Sequence, residues 1–171
     1  MGKRLGTVIK ENRRRRPFED MTSDQKRPFS DLVCNDDARE DKYKILLLDF
    51  VVVDSTIAFE EVVVEARDNE GHIRQEKKFQ PKKCLAIRYK KILNTITQLT
   101  LDGEETEIYE CEKRVDKTGR PTADDAEYYS FSGSEVMINQ ACCEISKEDL
   151  PCPTVIKEFR NKRNLKFYKF T

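Results

Sequence analysis

The sequence predicts a mainly β fold with some helix. The expected domain is a five-stranded sheet with a helix between its third and fourth strands and another helix near the C-terminus. Three observations carry this. Runs dense in Val, Ile and Leu occupy residues 43–54 and 57–67; turn residues recur at short intervals after them; and no hydrophobic period of any kind precedes residue 42. The 171 residues, 37% of them apolar, suit one domain of ordinary size over 42–171, with 1–41 as a disordered basic tail.

Taken in order, Tyr43–Asp54 is the first strand, and its near-continuous apolar character implies burial on both faces. Ile57–Arg67 is the second. Asp68-Asn69-Glu70-Gly71 turns the chain, with Gly71 free to take positive φ, and residues 72–79 return as a polar third strand. Pro81 permits a helix start, and Leu85, Tyr89, Ile92, Leu93, Ile96 and Leu99 recur at the spacing of one helical face, so residues 83–100 are expected to be helical. Asp102-Gly103 ends that helix. Residues 105–114 form the fourth strand, Lys117–Pro121 a loop, and Tyr128–Phe131 with Val136–Ile138 one or two more strands. Pro151 and Pro153 interrupt the chain; Val155, Ile156 and Phe159 start a short helix, and Leu165–Phe170 adds a last strand.

Two features stand out in the tail. Lys10–Arg16 contains four consecutive arginines, which reads as a nuclear-import signal or a nucleic-acid arm, with a solvated basic patch as the plain reading. The second is a repeat, R-P-F-x-D, at Arg16-Pro17-Phe18-Glu19-Asp20 and again at Arg27-Pro28-Phe29-Ser30-Asp31. Proline lowers the ordering cost, phenylalanine supplies an anchor, and Arg and Asp fix polarity. Arg16, Pro17, Phe18, Asp20, Arg27, Pro28, Phe29 and Asp31 are therefore the expected partner-binding residues, engaging another protein.

Lys+Arg and Asp+Glu are equal at 32 each, yet charge is sorted along the chain. Residues 1–33 carry a net +4, 34–76 a net −7, 77–91 a net +7 with no acid, 92–154 a net −9 and 155–171 a net +5. Phosphates respond to local potential, so the basic blocks are candidate nucleic-acid sites, the alternative being pairing with the acidic blocks inside the fold. The first holds Lys77, Lys78, Phe79, Lys82, Lys83, Arg88 and Tyr89. The C-terminal block interleaves bases with aromatics: Arg160, Lys162, Arg163, Lys166, Tyr168, Lys169 and Phe170. On a strand, Phe167 would share a face with Leu165 and Lys169, while Lys166, Tyr168 and Phe170 would share the other.

Other chemistry is not visible. The longest apolar runs, Ile45–Leu48 and Phe50–Val53, are far short of the ~20 residues that cross a bilayer, and the N-terminus lacks the apolar segment of a secretory signal. The six cysteines are expected to be reduced thiols; Cys142, Cys143 and Cys152 with the lone His72 lack zinc-ligand spacing, so no metal or cofactor is expected. No nucleophile elbow, phosphate loop or metalloprotease motif occurs, and Glu60, Glu61 and Glu65, or Asp124 and Asp125, read as solvated faces rather than catalytic pairs.

The expected order, three strands, a helix, two strands and a final helix, resembles the OB-fold, in particular the small OB subunits of single-stranded-DNA and telomere-capping complexes. The resemblance spans residues 42–165 and lies in element order; the chain lacks a clear first-strand glycine to bend a barrel. Another α+β sheet covered by the 83–100 helix is the alternative. The resemblance implies a non-enzymatic nuclear subunit of a DNA-maintenance or chromosome-end complex. It would bind single-stranded DNA or RNA on the barrel and hold protein partners through its tail and C-terminal helix. The competing reading is an assembly adaptor that binds no nucleic acid.

Overall fold

The computed structural model describes residues 17–171. Its strands are β1 (Val33–Cys34), β2 (Ile45–Arg67), β3 (Ile73–Leu99), β4 (Glu105–Cys111), β5 (Lys113–Val115), β6 (Pro121–Asp125), β7 (Tyr128–Ser132), β8 (Cys152–Thr154), β9 (Ile156–Arg160) and β10 (Lys166–Phe170). One α-helix, α1 (Glu135–Cys143), lies among the described residues. The fold is mainly β. The strands lie in three sheets, and no closed barrel forms among the described residues.

β3 is the frame. At 27 residues it spans roughly 90 Å if straight, and its neighbours change along its length. Residues 73–81 pair only with β2, at 59–67. Residues 83–91 lie between the start of β2 and, from Leu85 to Tyr89, strand β7. Residues 92–99 pair with β4. The molecule therefore has a body around the middle of β3 and a two-stranded hairpin running out at each end. The longer arm, 59–81, turns at Asp68–Gly71, where Asp68 Oδ1 accepts from the amides of Glu70 and His72 at 2.9 and 2.8 Å and Gly71 takes φ 82°. A bulge marks its root: residues 55–58 of β2 oppose Lys82 alone, and Ser55 Oγ accepts from Ile57 N and Ala58 N at 3.2 and 3.0 Å.

Alternation assigns the two faces of the body. Leu85, Ile87 and Tyr89 join Leu47, Phe50 and Tyr128 in the main core, covered by Met137 and Ala141 of α1, Ile156 of β9 and Phe170 of β10. Ala86 faces the other way, into a smaller cluster of Phe18, Met21 and Tyr129. α1 begins at Ser134, whose Oγ accepts from Met137 N and donates to Tyr168 O, both at 3.3 Å. Buried Gln140 locks the helix to the last strand: its Nε2 donates to Phe170 O at 3.1 Å and its Oε1 accepts from Phe170 N at 2.9 Å. Satisfying both main-chain groups of Phe170 removes the cost of burying them.

Three expectations are corrected. Residues 83–100 are strand, not helix: Leu93 and Leu99 are exposed on a hairpin, so the apparent helical face mixed buried residues of the body with bare residues of an arm. Residues 155–159 are also strand, with Ile156 inward and Phe159 outward on β9, while Val136–Ile138 belong to α1. The expected helix between the third and fourth strands and the C-terminal helix are thus both replaced. Finally, residues 17–41 are not an unpacked tail. Phe18 (7% exposed), Met21, Leu32, Val33 and Cys34 are buried, and the segment straps the body. Phe18 and Met21 lie on one face of the sheet, Lys26 and Arg27 cross the edge of β7, with Arg27 N donating to Tyr129 O at 2.9 Å, and Leu32 and Val33 enter the core on the opposite face.

Candidate functional site

The two R-P-F-x-D copies end on opposite faces of one sheet. In the first, Pro17 precedes the buried Phe18, and Asp20 meets Arg88 in a fork, Oδ1 to Nη1 at 2.8 Å and Oδ2 to Nη2 at 2.7 Å. That hydrogen bond holds the Asp20 carboxyl below its ordinary pKa. Arg88 Nε also donates to Glu127 Oε1 at 2.9 Å. In the second, Arg27 lies over the Tyr128 ring at 4.5 Å and its carbonyl accepts from Ser130 Oγ at 2.8 Å, while Phe29, after Pro28, meets Tyr168 edge-on at 5.3 Å. Asp31 is exposed and donates only its amide, to Pro28 O at 3.1 Å. The anchors that the sequence assigns to a partner protein are seated on this chain's own sheet. Arg16 and Lys10–Arg16 lie outside the described residues.

The first basic block is split between arm and body. Lys77 and Lys83 face acids across the hairpin, at 3.7 Å from Glu61 and 2.6 Å from Asp54. Arg88 is held by Asp20 and Glu127. Tyr89 is fully buried, its hydroxyl 3.2 Å from Ser130 Oγ, and burial pushes its pKa up to about 12. Lys78, Phe79 and Lys82 remain on the surface, Phe79 78% exposed. The acidic block 34–76 and the basic block 77–91 are in large part the two limbs of one hairpin, so much of the charge sorting closes on itself.

The C-terminal block forms the β9–β10 hairpin. Its turn is held by Asn161 Oδ1, which accepts from Arg163 N and Leu165 N at 2.9 and 3.0 Å, and Asn164 takes φ 62°. Tyr168 and Phe170, placed by sequence among the nucleic-acid ligands, lie on the inward face. The outward face holds two residues that were not singled out: Phe159 and Phe167, cross-strand partners stacked at 5.5 Å and 22°. Lys169 lies on the same face, and Lys162 and Arg163 stand at the tip; none of these three has an ion pair among the described residues. Lys166 is 3.2 Å from Glu158, and Arg160 Nη1 donates to Asn164 O at 3.2 Å. The register that opposes Phe159 to Phe167 was available from the Asn161–Asn164 turn signal, but the expected helix over 155–159 hid it.

The long arm carries a second missed feature. Directly opposed residues of an antiparallel pair share a face. One face therefore holds Phe59 with Pro81, Glu61 with Phe79, Val63 with Lys77, Glu65 with Gln75, and Arg67 with Ile73. It continues the face on which Leu85, Ile87 and Tyr89 build the core. Within the body α1 and β9–β10 cover that face; on the arm Phe59, Val63, Ile73 and Phe79 are all more than half exposed. His72 stands at the tip, its Nδ1 3.4 Å from Asp68 and 3.5 Å from Glu70.

All six cysteines are free thiols. Among the described residues no three His, Cys, Asp or Glu side chains gather as a metal would need, and no helix is long and apolar enough to cross a membrane. Comparison of the chain with protein-family models, with curated proteins and with solved structures finds no match in any of the three. Its own geometry therefore carries the functional argument.

Proposed function

We propose that this chain is a non-enzymatic assembly subunit whose projecting arm engages a protein partner. One observation carries the reading: the row Phe59, Val63, Ile73, Phe79 and Pro81 lies on one face of a two-stranded hairpin, and among the described residues nothing covers it. A two-stranded hairpin is marginal in water on its own, and a contiguous exposed apolar strip is characteristic of contact surfaces. To test it, residues 60–80 are replaced by an Asn-Gly turn and native size is compared in extracts of the source cell. The full chain is expected to migrate in a larger assembly than the truncated one. Equal native sizes would overturn the reading.

The outward Phe159–Phe167 stack favours a second reading, single-stranded nucleic-acid binding on the C-terminal hairpin. Stacked aromatics beside Lys162, Arg163 and Lys169 offer bases a platform and phosphates a cation track. This reading draws on the hairpin and does not need an OB-like barrel. It keeps the nuclear DNA-maintenance or chromosome-end setting that the sequence suggested. The check is fluorescence anisotropy against single-stranded DNA, single-stranded RNA and duplex at two salt concentrations. F159A/F167A is expected to weaken single-strand binding, and K162A/R163A to flatten its salt dependence. Binding indifferent to both would sink it.

A further inference from the structure

We infer that the occupant of the arm face is a second copy of this chain, packed face to face about a two-fold axis running along the arm; the inference rests on the arm being an assembly surface. The argument begins with charge. Between the bulge and the tip, the β2 limb carries Glu60, Glu61 and Glu65 and no base before Arg67, whereas the β3 limb carries Arg74, Lys77, Lys78 and Lys82 against a single Glu76. Joining two arms edge to edge through like limbs sets acid beside acid or base beside base. A two-fold axis across the arm, centred on Val63, lays β2 on β2 and brings Glu61 against Glu65. A two-fold axis along the arm instead lays the acidic limb of each copy over the basic limb of the other, and does so twice.

Side-chain heights on that face agree. The hairpin register puts Phe79 level with Glu61, and Lys77 level with Val63. In the two-fold pair, Phe79 of one copy enters between Phe59 and Val63 of the other, while Lys77 enters between Glu61 and Glu65. Apolar meets apolar and cation meets two carboxylates in a single register. Aligned face-to-face packing of two sheets is also a favoured arrangement. The size is modest. Nine residues of β2 at ~3.4 Å each and a width of about 10 Å give a footprint of roughly 300 Å² per copy. This is below the ~600 Å² per partner at the lower limit of specific stable interfaces, so the dimer is expected to be weak and concentration-dependent.

Sedimentation velocity on the purified full chain, from about 1 to 500 µM, is expected to show the 20.1 kDa monomer giving way to a species of twice that mass. F79E, at a position exposed enough to leave the fold intact by circular dichroism, is expected to weaken dimerisation about tenfold or more. K78E, on the opposite face of the same strand, is the control and should dimerise as the parent does. E61K and K77E should each dimerise poorly alone and form a heterodimer when mixed, since mixing restores unlike charges at both contacts. A chain that stays monomeric throughout, open-ended polymers in place of a dimer, or equal behaviour of F79E and K78E would each overturn the inference. If the chain is monomeric when pure but the arm-truncated form still loses its assembly in extracts, the partner is a different protein and only the second-copy inference falls. If truncation also changes nothing, both readings fall.

Discussion

Residues 85–89 and residues 73–81 belong to one strand, share one partner strand and alternate in the same way, yet their side chains meet opposite fates. Leu85, Ile87 and Tyr89 are fully buried; Ile73 and Phe79, on the same face a few steps away, are more than half exposed. What differs is the third dimension. In the middle, β7 pairs with the second edge of β3, α1 and the β1–β9–β10 sheet cover one face, and the strap at 17–21 covers the other. On the arm no such layer is present among the described residues. Hydrophobic residues in a strand do not make a core by themselves; they need a second layer to exclude water.

The comparison can be broken most severely at the strap. A chain beginning at residue 40 lacks Phe18, Met21, Leu32 and Val33, which serve both faces of the body, and is expected to show no cooperative unfolding by calorimetry or circular dichroism. A cooperative transition equal to that of a 17–171 chain would show that the strap is dispensable. Single truncations sharpen the contrast along β3. Ile87→Ala is expected to cost about 2–5 kcal/mol in urea unfolding, as buried aliphatic truncations do, whereas Phe79→Ala should cost no more than about 0.5 kcal/mol in the monomer. Similar losses at both positions would mean that the arm has a cover of its own.

A smaller effect is expected at the fork that ties the strap to the body. Asp20→Asn removes the charge facing Arg88; because Asp20 is largely exposed, the loss should be no more than about 1 kcal/mol. The sign with pH follows from direction. Hydrogen bonds to Arg88 lower the Asp20 pKa, and those to Lys113 and then Lys90 lower that of Asp125. Both groups stabilise the fold above the ordinary carboxylate pKa of ~4, and that stability is lost as pH falls through their lower folded-state values. Urea unfolding between pH 7 and 2 should therefore show acid destabilisation, with a shallower slope in D20N than in the parent. An identical slope would mean that the fork does not form in solution. The smallest effect is expected from excising the arm: replacing 60–80 by Asn-Gly should leave the melting temperature of a dilute sample nearly unchanged, because no core residue is removed.

Much of the local structure was legible. The strands over 45–67 and 166–170, the turn at Asp68–Gly71 and the strand at Tyr128–Ser132 follow from β-branched runs and turn chemistry. Residues 83–100 did not, because periodicity arguments equate apolar with buried. That equation fails where Leu93, Ile96 and Leu99 stand in the open; Ile87 and Ala86, buried on opposite faces, break the helical period in the body. α1 was missed although Ser134 and Glu135 supply an N-cap and an acidic first turn, since Val136–Ile138 also satisfy a strand. At the candidate sites, the sequence pointed to the C-terminal basic-aromatic block but chose its inward aromatics; which of Phe167 and Tyr168 faces out depends on the sheet's packing partner.

The sequence by itself determined the mainly β character, the hairpin turns and the segregation of acid from base, because these depend on neighbours in the chain. The tertiary structure alone decided that two similar Pro-Phe anchors would strap their own sheet, and that the acidic and basic blocks would oppose each other across one hairpin. It also decided that an apolar face would run past the edge of its cover. Those outcomes depend on which distant residues bury a surface, and burial belongs to the assembled layers rather than to any segment.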